Sequence, residues 1–216
     1  MSRPVAAEMA RRLRTLPEPV VRTARLELVR PDRRHLDELV ELLDDRSVAR
    51  WTLHVPHPYR RSDALAYYAR WRAGYRAGTS LPLQIVRRED GRLVGGTGLH
   101  YLSAEHRCAE VGYWIGAPYR GHGYAGEALR ALTAVAFRRL ALARLEGRVF
   151  PGNDASTAVL LGAGFRLEGR IRSAIVKNGR RRDDLVYGRL RGDPAPPVPA
   201  AEGRGTGAGP SGAPRK

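Results

Sequence analysis

The sequence has little cysteine, little lysine and no long apolar run. Its single cysteine, Cys108, excludes an internal disulfide and any zinc site built from several cysteines, and it fits a reducing compartment. No stretch approaches the ~18 uninterrupted apolar residues that a membrane-spanning helix requires. The first residues are rich in arginine but lack the apolar segment of a secretory signal. We therefore expect a cytoplasmic protein without a membrane association.

The positive charge comes almost entirely from arginine. A formal net charge of +16 is common in proteins that bind nucleic acid, because clustered cations displace counterions from phosphates. Here 36 of the 38 basic residues are arginine, and they are spread along the chain instead of being clustered with aromatic residues. Genomic base composition can produce such a bias. We interpret the charge as a solvated basic surface, with attraction to an anionic ligand or a ribosomal surface as the alternative.

The chain divides into one domain and two terminal segments. Residues 192–216 consist mainly of proline, glycine and alanine, so they cannot repay the entropy of ordering and are predicted to be a disordered tail. Residues 1–21 form a basic N-terminal extension, in which the spacing of Met9, Leu13 and Leu16 allows a short amphipathic helix. An unpacked extension is an equal alternative. The folded domain then covers residues 22–191, which is long enough for one core.

The predicted elements of the domain follow a mixed order. A strand and a helix come first, and a second helix begins at the N-cap Ser62 and ends at Gly78. An antiparallel meander, a glycine loop, a third helix, a strand and a short helix capped by Asn153 or Asp154 follow. The chain closes with a hairpin turning at Asn178-Gly179. This order predicts an α+β fold around one mixed sheet.

The glycine loop spells G-x-G-x-x-G with Gly121, Gly123 and Gly126. In a dinucleotide-binding fold the first glycine follows directly on a buried strand, and an acidic residue ends the next strand about 20 positions later. Here five residues separate Ile115 from Gly121, and Glu146 begins its strand instead of ending it. We therefore reject the dinucleotide interpretation. Glycines at the start of a helix still allow backbone N–H groups to approach a phosphate, so the loop is predicted to bind an anion. The alternative is a glycine-rich turn that only connects the strand to the helix.

The loop and its flanking segments resemble a known family. The segment YRGHGYAGEAL is similar to the acetyl-CoA pyrophosphate loop of the GNAT N-acetyltransferases, with Arg120, Gly123 and Ala125 at the matching positions. Three further segments, TARLELVRP, NDASTAVLLGAGFRLEGRIR and NGRRRDDLVYGRL, resemble in order the branch that contains the ribosomal-protein N-terminal acetyltransferases RimJ and RimL. The resemblance covers about residues 22 to 190. It implies a single domain with a mixed, mostly antiparallel sheet, whose central parallel strands splay apart and which helices flank.

The resemblance also implies that acetyl-CoA is the co-substrate and where it binds. The main chain of one strand end is expected to bind the pantetheine arm and to polarise the thioester carbonyl. The glycine loop and an arginine are expected to hold the pyrophosphate, and an asparagine to contact the pantetheine arm. The strand end comprises Tyr113, Trp114 and Ile115. The pyrophosphate site comprises Arg120, Gly121, His122, Gly123, Tyr124 and Ala125, and the asparagine is Asn153.

Two catalytic residues are implied in the same way. Glu110 matches the position of a general-base glutamate, although it could equally be a strand carboxylate paired with an arginine. Ser156 matches a serine that protonates the departing thiolate, although a residue at this position can also serve as a helix cap. Some RimL-type members use a glutamate as the base at a position where this chain has Ile175, so that base is absent here. Cys108 is interpreted as a packing residue, and the histidines lack the spacing of metal ligands, so we expect no metal site.

The leading hypothesis for function is acetyl transfer to a primary amine, the N-terminal α-amino group of a protein. A ribosomal protein is the candidate acceptor, and an association with the ribosome is the corresponding candidate interaction. The alternatives are transfer to a small amine such as a polyamine, an aminosugar or an antibiotic, and a non-catalytic CoA-binding module. The protein is expected to be a monomer or a dimer. Residues 50–80 are expected to form the acceptor wall, with these side chains available: Trp51, His54, His57, Tyr59, Tyr67 and Trp71.

Overall fold

The structure is a computed structural model that describes residues 3–194 and 196. The tail predicted from residue 192 onward therefore lies almost entirely outside the described residues. The helices are α1 (Arg3–Arg14), α2 (Leu36–Leu43), α3 (Arg46–Trp51), α4 (Arg61–Ala77), α5 (Tyr124–Arg138) and α6 (Asp154–Gly162). The strands are β1 (Val21–Arg22), β2 (Leu26–Val29), β3 (Leu81–Arg87), β4 (Leu93–Ser103), β5 (Cys108–Ile115), β6 (Arg144–Val149), β7 (Arg166–Lys177) and β8 (Arg180–Leu190).

The strands form one sheet in the order β1-β2-β3-β4-β5-β6-β8-β7. Within the described chain, β5 and β6 are its single parallel pair, and the other neighbours are antiparallel. Their pairing starts at Cys108 with Arg144 and stops at Val111 with Gly147, although both strands continue beyond this point. The two central strands therefore diverge. The mixed sheet that the sequence predicted is confirmed, and its parallel strands splay apart as the resemblance implied.

The predicted turns and helix ends agree with the structure, except at the start of α4. Asn178 and Gly179 have φ values of 51° and 73°, which is the left-handed conformation required at both positions of a tight hairpin turn. Gly78 ends α4 at φ 75°. The N-cap of α4 is Arg60, however, and the prediction of Ser62 was wrong. The Asp63 carboxylate accepts the Arg60 backbone N–H at 2.7 Å, which moves the start of the helix to Arg61.

The hydrophobic core lies between the sheet and the helices that flank it. The buried face of α5 supplies Ala128, Leu129 and Leu132, each with no exposed surface. Of the two alternatives for residues 1–21, the structure shows the helix. Its side chains Met9 and Leu13 are buried in the same core cluster as those of α5. Packing of its apolar stripe thus attaches the N-terminal helix to the domain.

Truncation of Leu13 tests this attachment. Because the Leu13 side chain is completely buried, Leu13→Ala is expected to lower the free energy of unfolding by about 2–4 kcal/mol. The measurement is urea denaturation followed by circular dichroism. Arg11 on the same helix is exposed and paired with Glu8, so Arg11→Ala is the matched control and should stay within about 0.5 kcal/mol of the wild type. A Leu13→Ala protein as stable as this control would contradict the packing.

Candidate active site

A cavity of about 1220 Å³ opens where β5 and β6 diverge. One wall carries the aromatic and histidine side chains that the sequence placed at an acceptor site. The residues of that set that line the cavity are Trp51, His54, Tyr59, Tyr67 and Trp71. His57 lies instead against α2 and α3, where its Nδ1 is 3.3 Å from Asp44 Oδ1 and its Nε2 accepts a hydrogen bond from Arg46 at 3.2 Å. The cavity is therefore an aromatic space that reaches the gap between the parallel strands.

Glu110, the third residue of β5, lines this cavity. The sheet register places it between His100 on β4 and Glu146 on β6, so the three side chains share one face of the sheet. Its Oε2 lies 3.5 Å from the Nε of Arg148. Burial raises the pKa of Glu110, and the nearby Arg148 acts in the opposite direction. Glu110 is thus both a strand carboxylate paired with an arginine and a cavity-facing carboxylate with raised proton affinity.

Arg148 is shared by three carboxylates, and we call Glu110, Glu146, Asp184 and Arg148 the charge cluster. Arg148 Nη2 is 3.0 Å from Glu146 Oε1, and its Nη1 is 3.5 Å from Asp184 Oδ2. The Asp184 side chain is 4% exposed, and burial raises its pKa. Sequence reasoning missed Asp184. It is the second of two adjacent aspartates, and only the pairing of β8 with β6 decides which of them faces the cavity.

The glycine loop has the geometry of an anion site at the start of α5. Gly121 and Gly123 have φ values of 79° and 74°, which side chains rarely tolerate, and no atom lies within 4 Å of a Cβ built on Gly121. Gly123 is the N-cap, so the first N–H groups of α5 lack partners within the helix. Gly126 lies inside the first turn, where a Cβ would meet the end of the Arg130 side chain at 3.1 Å. The loop therefore depends on the first two glycines.

Arginines other than the expected one lie beside this loop. The guanidinium of Arg120 donates to the Ile115 carbonyl at 3.1 Å and to Ser47 Oγ at 2.8 Å, so it contacts the end of β5 and the start of α3. Arg25 instead donates to the carbonyl of His122 at 2.9 Å, and its guanidinium lies 4.9 Å from the centre of the Tyr124 ring. A small pocket of about 320 Å³ at this place is lined by Arg25, Arg87, Arg88 and Tyr124, among others. The sequence could not predict this group of arginines, because they are spread along the chain and form no motif.

A carboxylate holds Arg25 beside the loop. Glu127, in the first turn of α5, accepts hydrogen bonds from Thr23 Oγ1 at 2.5 Å, from the Arg25 backbone at 3.0 Å and from Arg25 Nε at 2.7 Å. Burial of Glu127 would raise its pKa, but these hydrogen bonds outweigh that effect and lower the pKa. Glu127 therefore joins the segment before β2 to the start of α5.

The start of α6 also lines the cavity. Asn153 is the N-cap of this helix, and its Oδ1 accepts the Ser156 N–H at 3.3 Å. The Tyr113 hydroxyl donates to the Ser156 carbonyl at 2.9 Å and thus bridges the divergent end of β5 to α6. Tyr113, Trp114, Asn153 and Ser156 all line the cavity. The helix-cap role considered for Asn153 is seen directly, and the Ser156 residue adjoins the gap between the strands.

The open edge of β5 completes the site. Beyond Val111, the strand keeps its pairing with β4 through Trp114 and Ile115, whereas its pairing with β6 has ended. Backbone groups on this edge can therefore bind an extended ligand lying in the gap. None of the described helices is long and apolar enough to cross a membrane. Residues 3–194 and 196 contain no group of three or more histidine, cysteine, aspartate or glutamate residues that could hold a metal ion.

Known proteins are similar to this chain in sequence and in fold. The family model for the "Acetyltransferase (GNAT) domain" matches residues 25–166. The uncharacterised N-acetyltransferase YoaA of Bacillus subtilis is 38% identical over 103 residues, which are 48% of this chain and 58% of YoaA. The ribosomal-protein-serine acetyltransferase of Escherichia coli is 29% identical over 106 residues, covering 49% and 59% of the two chains. The chain thus spans somewhat more than half the length of these relatives.

A solved structure is similar over a larger part of the chain. RimJ of Mycobacterium smegmatis, in complex with CoA-disulfide, has a TM-score of 0.70 and is 27% identical. The match covers 76% of this chain and 81% of that protein.

Proposed function

Because the chain belongs to the GNAT acetyltransferase family, we propose that it uses acetyl-CoA to acetylate a primary amine, the N-terminal α-amino group of a protein. The resemblance inferred from the sequence is thereby confirmed. The observation that carries the proposal is the cavity at the divergence of β5 and β6, which is lined by both Glu110 and Ser156. Ribosomal proteins are proposed as acceptors, since two of the similar proteins are the ribosomal-protein-serine acetyltransferase and RimJ.

The residues present fit acetyl-CoA. An extended arm with amide groups suits the open backbone edge of β5 near Tyr113, Trp114 and Ile115. A diphosphate suits the residues from Gly121 to Ala125, where the two left-handed glycines leave room beside the free N–H groups of α5. Arg25 adds positive charge at the loop, and Arg120 would reach the diphosphate after releasing its contacts at the end of β5. Asn153 lies where it can contact the arm from α6.

Proton removal from the acceptor is assigned to Glu110. An amine attacks only in its neutral form, and an α-amine with a pKa near 8 reaches that form more readily than a lysine near 10.4. The Glu110 carboxylate takes one proton from the ammonium group, directly or through a water molecule. Burial supports this role, because a carboxylate with a raised pKa is a stronger base. The amine nitrogen then forms a bond to the thioester carbonyl carbon.

The remaining steps use the main chain of β5 and the start of α6. Backbone N–H groups near Tyr113 to Ile115 stabilise the negative charge that develops on the carbonyl oxygen. As the carbon–sulfur bond breaks, the Ser156 hydroxyl donates its proton to the departing thiolate and is reprotonated, through water, by the second proton that the amine nitrogen loses. The proton taken up by Glu110 returns to solvent. The products are the acetylated amine and free CoA.

The charge cluster favours a cationic acceptor and supports a second candidate. Three carboxylates around Arg148 leave an excess of negative charge in an otherwise basic protein. This suits the ammonium group of a protein N-terminus, whose first side chains would pack on the aromatic wall. It also suits a polyamine, which carries several ammonium groups. A small-molecule amine is therefore the alternative acceptor.

Acetyl transfer can be tested with defined peptides. The purified protein and acetyl-CoA are incubated with peptides that copy ribosomal N-termini, and CoA release and peptide mass are followed. We expect one acetyl group at the α-amine. The matched control is the same peptide with its α-amine blocked and one internal lysine left free, which should not react. Turnover of polyamines or aminosugars with no peptide acetylated would overturn the acceptor, and CoA binding without transfer to any amine would indicate a binding module.

A further inference from the structure

We propose that Asp184 is a positioning residue: it holds part of the Arg148 guanidinium on β8, away from Glu110, and so keeps Glu110 able to take up a proton. The inference rests on the proposed function, in which Glu110 is the base. Asp184 lies on β8, and no role was predicted for it from the sequence. The juxtaposition that carries it is the charge cluster, in which one guanidinium contacts carboxylates from three different strands.

Asp184 is placed in the cluster by the register of the sheet. Arg148 on β6 pairs with Val186 on β8, so Asp184, two residues before Val186, lies on the same face as Arg148. Its side chain lines the cavity although it is almost completely buried. Within residues 3–194, the charged partner that the structure shows for Asp184 is Arg148, at 3.5 Å. A carboxylate in such a position is costly unless a cation compensates it, so Asp184 ties Arg148 to β8.

The proton affinity of Glu110 depends on how the Arg148 guanidinium is shared among the carboxylates. Arg148 Nε donates a hydrogen bond to Glu146 Oε1 at 3.0 Å, whereas the guanidinium lies 3.5 Å from Glu110 and 3.5 Å from Asp184, so neither of these two carboxylates is fully paired. A guanidinium fully paired with Glu110 would hold the carboxylate in its charged form and make it a poor base. The negative charge of Asp184 acts in the same sense as burial, favouring the protonated form of Glu110.

Among the groups around Glu110, Arg148 is the cation that affects its pKa. His100 faces Glu110 from β4, and burial together with the nearby His54 lowers its pKa, so His100 is neutral near pH 7. Glu146 faces it from β6. Arg144 is paired with Glu168 of β7, and Asp63 and Arg70 of α4 line the same cavity. Removing the charge of Asp184 and removing the charge of Arg148 should therefore shift the pKa of Glu110 in opposite directions.

The test is a direct titration of the Glu110 carboxyl group by NMR, with ¹³C-labelled glutamate and the full-length protein. Glu110→Gln identifies the signal by its loss. Asp184→Asn removes a negative charge and lets Arg148 turn to Glu110, so it should lower the pKa of Glu110 by about one pH unit. Arg148→Gln removes the cation and should raise this pKa. In the active enzyme, the acidic limb of the kcat/KM profile should move in the same directions.

Asp183→Asn is the matched control, because Asp183 is the neighbouring aspartate but pairs with Arg170 at 2.6 Å. It should leave the Glu110 titration unchanged. A folded Asp184→Asn protein with the wild-type Glu110 titration, or equal shifts in the two cluster variants, would overturn the proposal. If Asp184→Asn does not fold, Arg148→Gln decides: an upward shift supports the proposal and no shift overturns it. The titration needs no acceptor, so failure to acetylate any peptide would overturn only the proposed function.

Discussion

Replacement of Gly123 by aspartate is expected to abolish acetyl-CoA binding, with an affinity loss of at least about 100-fold. Gly123 has a φ of 74°, so any side chain there strains the backbone at the N-cap of α5. The added carboxylate would also lie beside the N–H groups that are proposed to hold the diphosphate, where like charges repel by several kcal/mol. Isothermal titration calorimetry with CoA measures the loss.

Gly126→Ser is the control for this experiment. Gly126 lies within α5, and a Cβ there would meet the movable end of Arg130, so the serine should be tolerated. Circular dichroism melting of both variants separates a folding defect from a binding defect. If both substitutions removed binding equally, the third glycine would matter as much as the second. The dinucleotide interpretation would then have to be considered again.

Glu110→Gln is expected to lower kcat/KM by about 10²–10⁴-fold while the affinity for CoA stays unchanged. The amide has the shape of the carboxylate but cannot accept the ammonium proton. The defect should shrink as the pH rises above about 8, because the α-amine is then neutral without help. Initial rates across pH, at saturating acetyl-CoA, measure both effects.

Glu105→Gln serves as the matched variant, since Glu105 is an exposed glutamate in the turn between β4 and β5. It should behave as the wild type. Wild-type rates in Glu110→Gln at every pH would show that Glu110 is only a strand carboxylate paired with Arg148. The base would then have to be sought elsewhere in the charge cluster.

Local features of the sequence were sufficient for much of the fold. The Asn178-Gly179 turn could be predicted because its two residues tolerate the left-handed conformation that this turn requires. The glycine loop could be predicted because a helix N-terminus needs backbone space to bind an anion. The resemblance placed Glu110, Asn153 and Ser156, and the structure brings all three to one cavity. The Ser62 cap failed because a nearby carboxylate, Asp63, captured the preceding backbone N–H.

What the sequence determined by itself was therefore the order of the elements and the family, and it supplied candidate residues for the chemistry. Those properties depend on neighbours within a few residues, or on motifs in a fixed order. Only the tertiary structure decided that Arg25 also lies against the glycine loop, and that Asp184, rather than Asp183, joins Arg148 at the cavity. These contacts join residues far apart in the chain. They depend on strand register and helix packing, which no local pattern of residue types specifies.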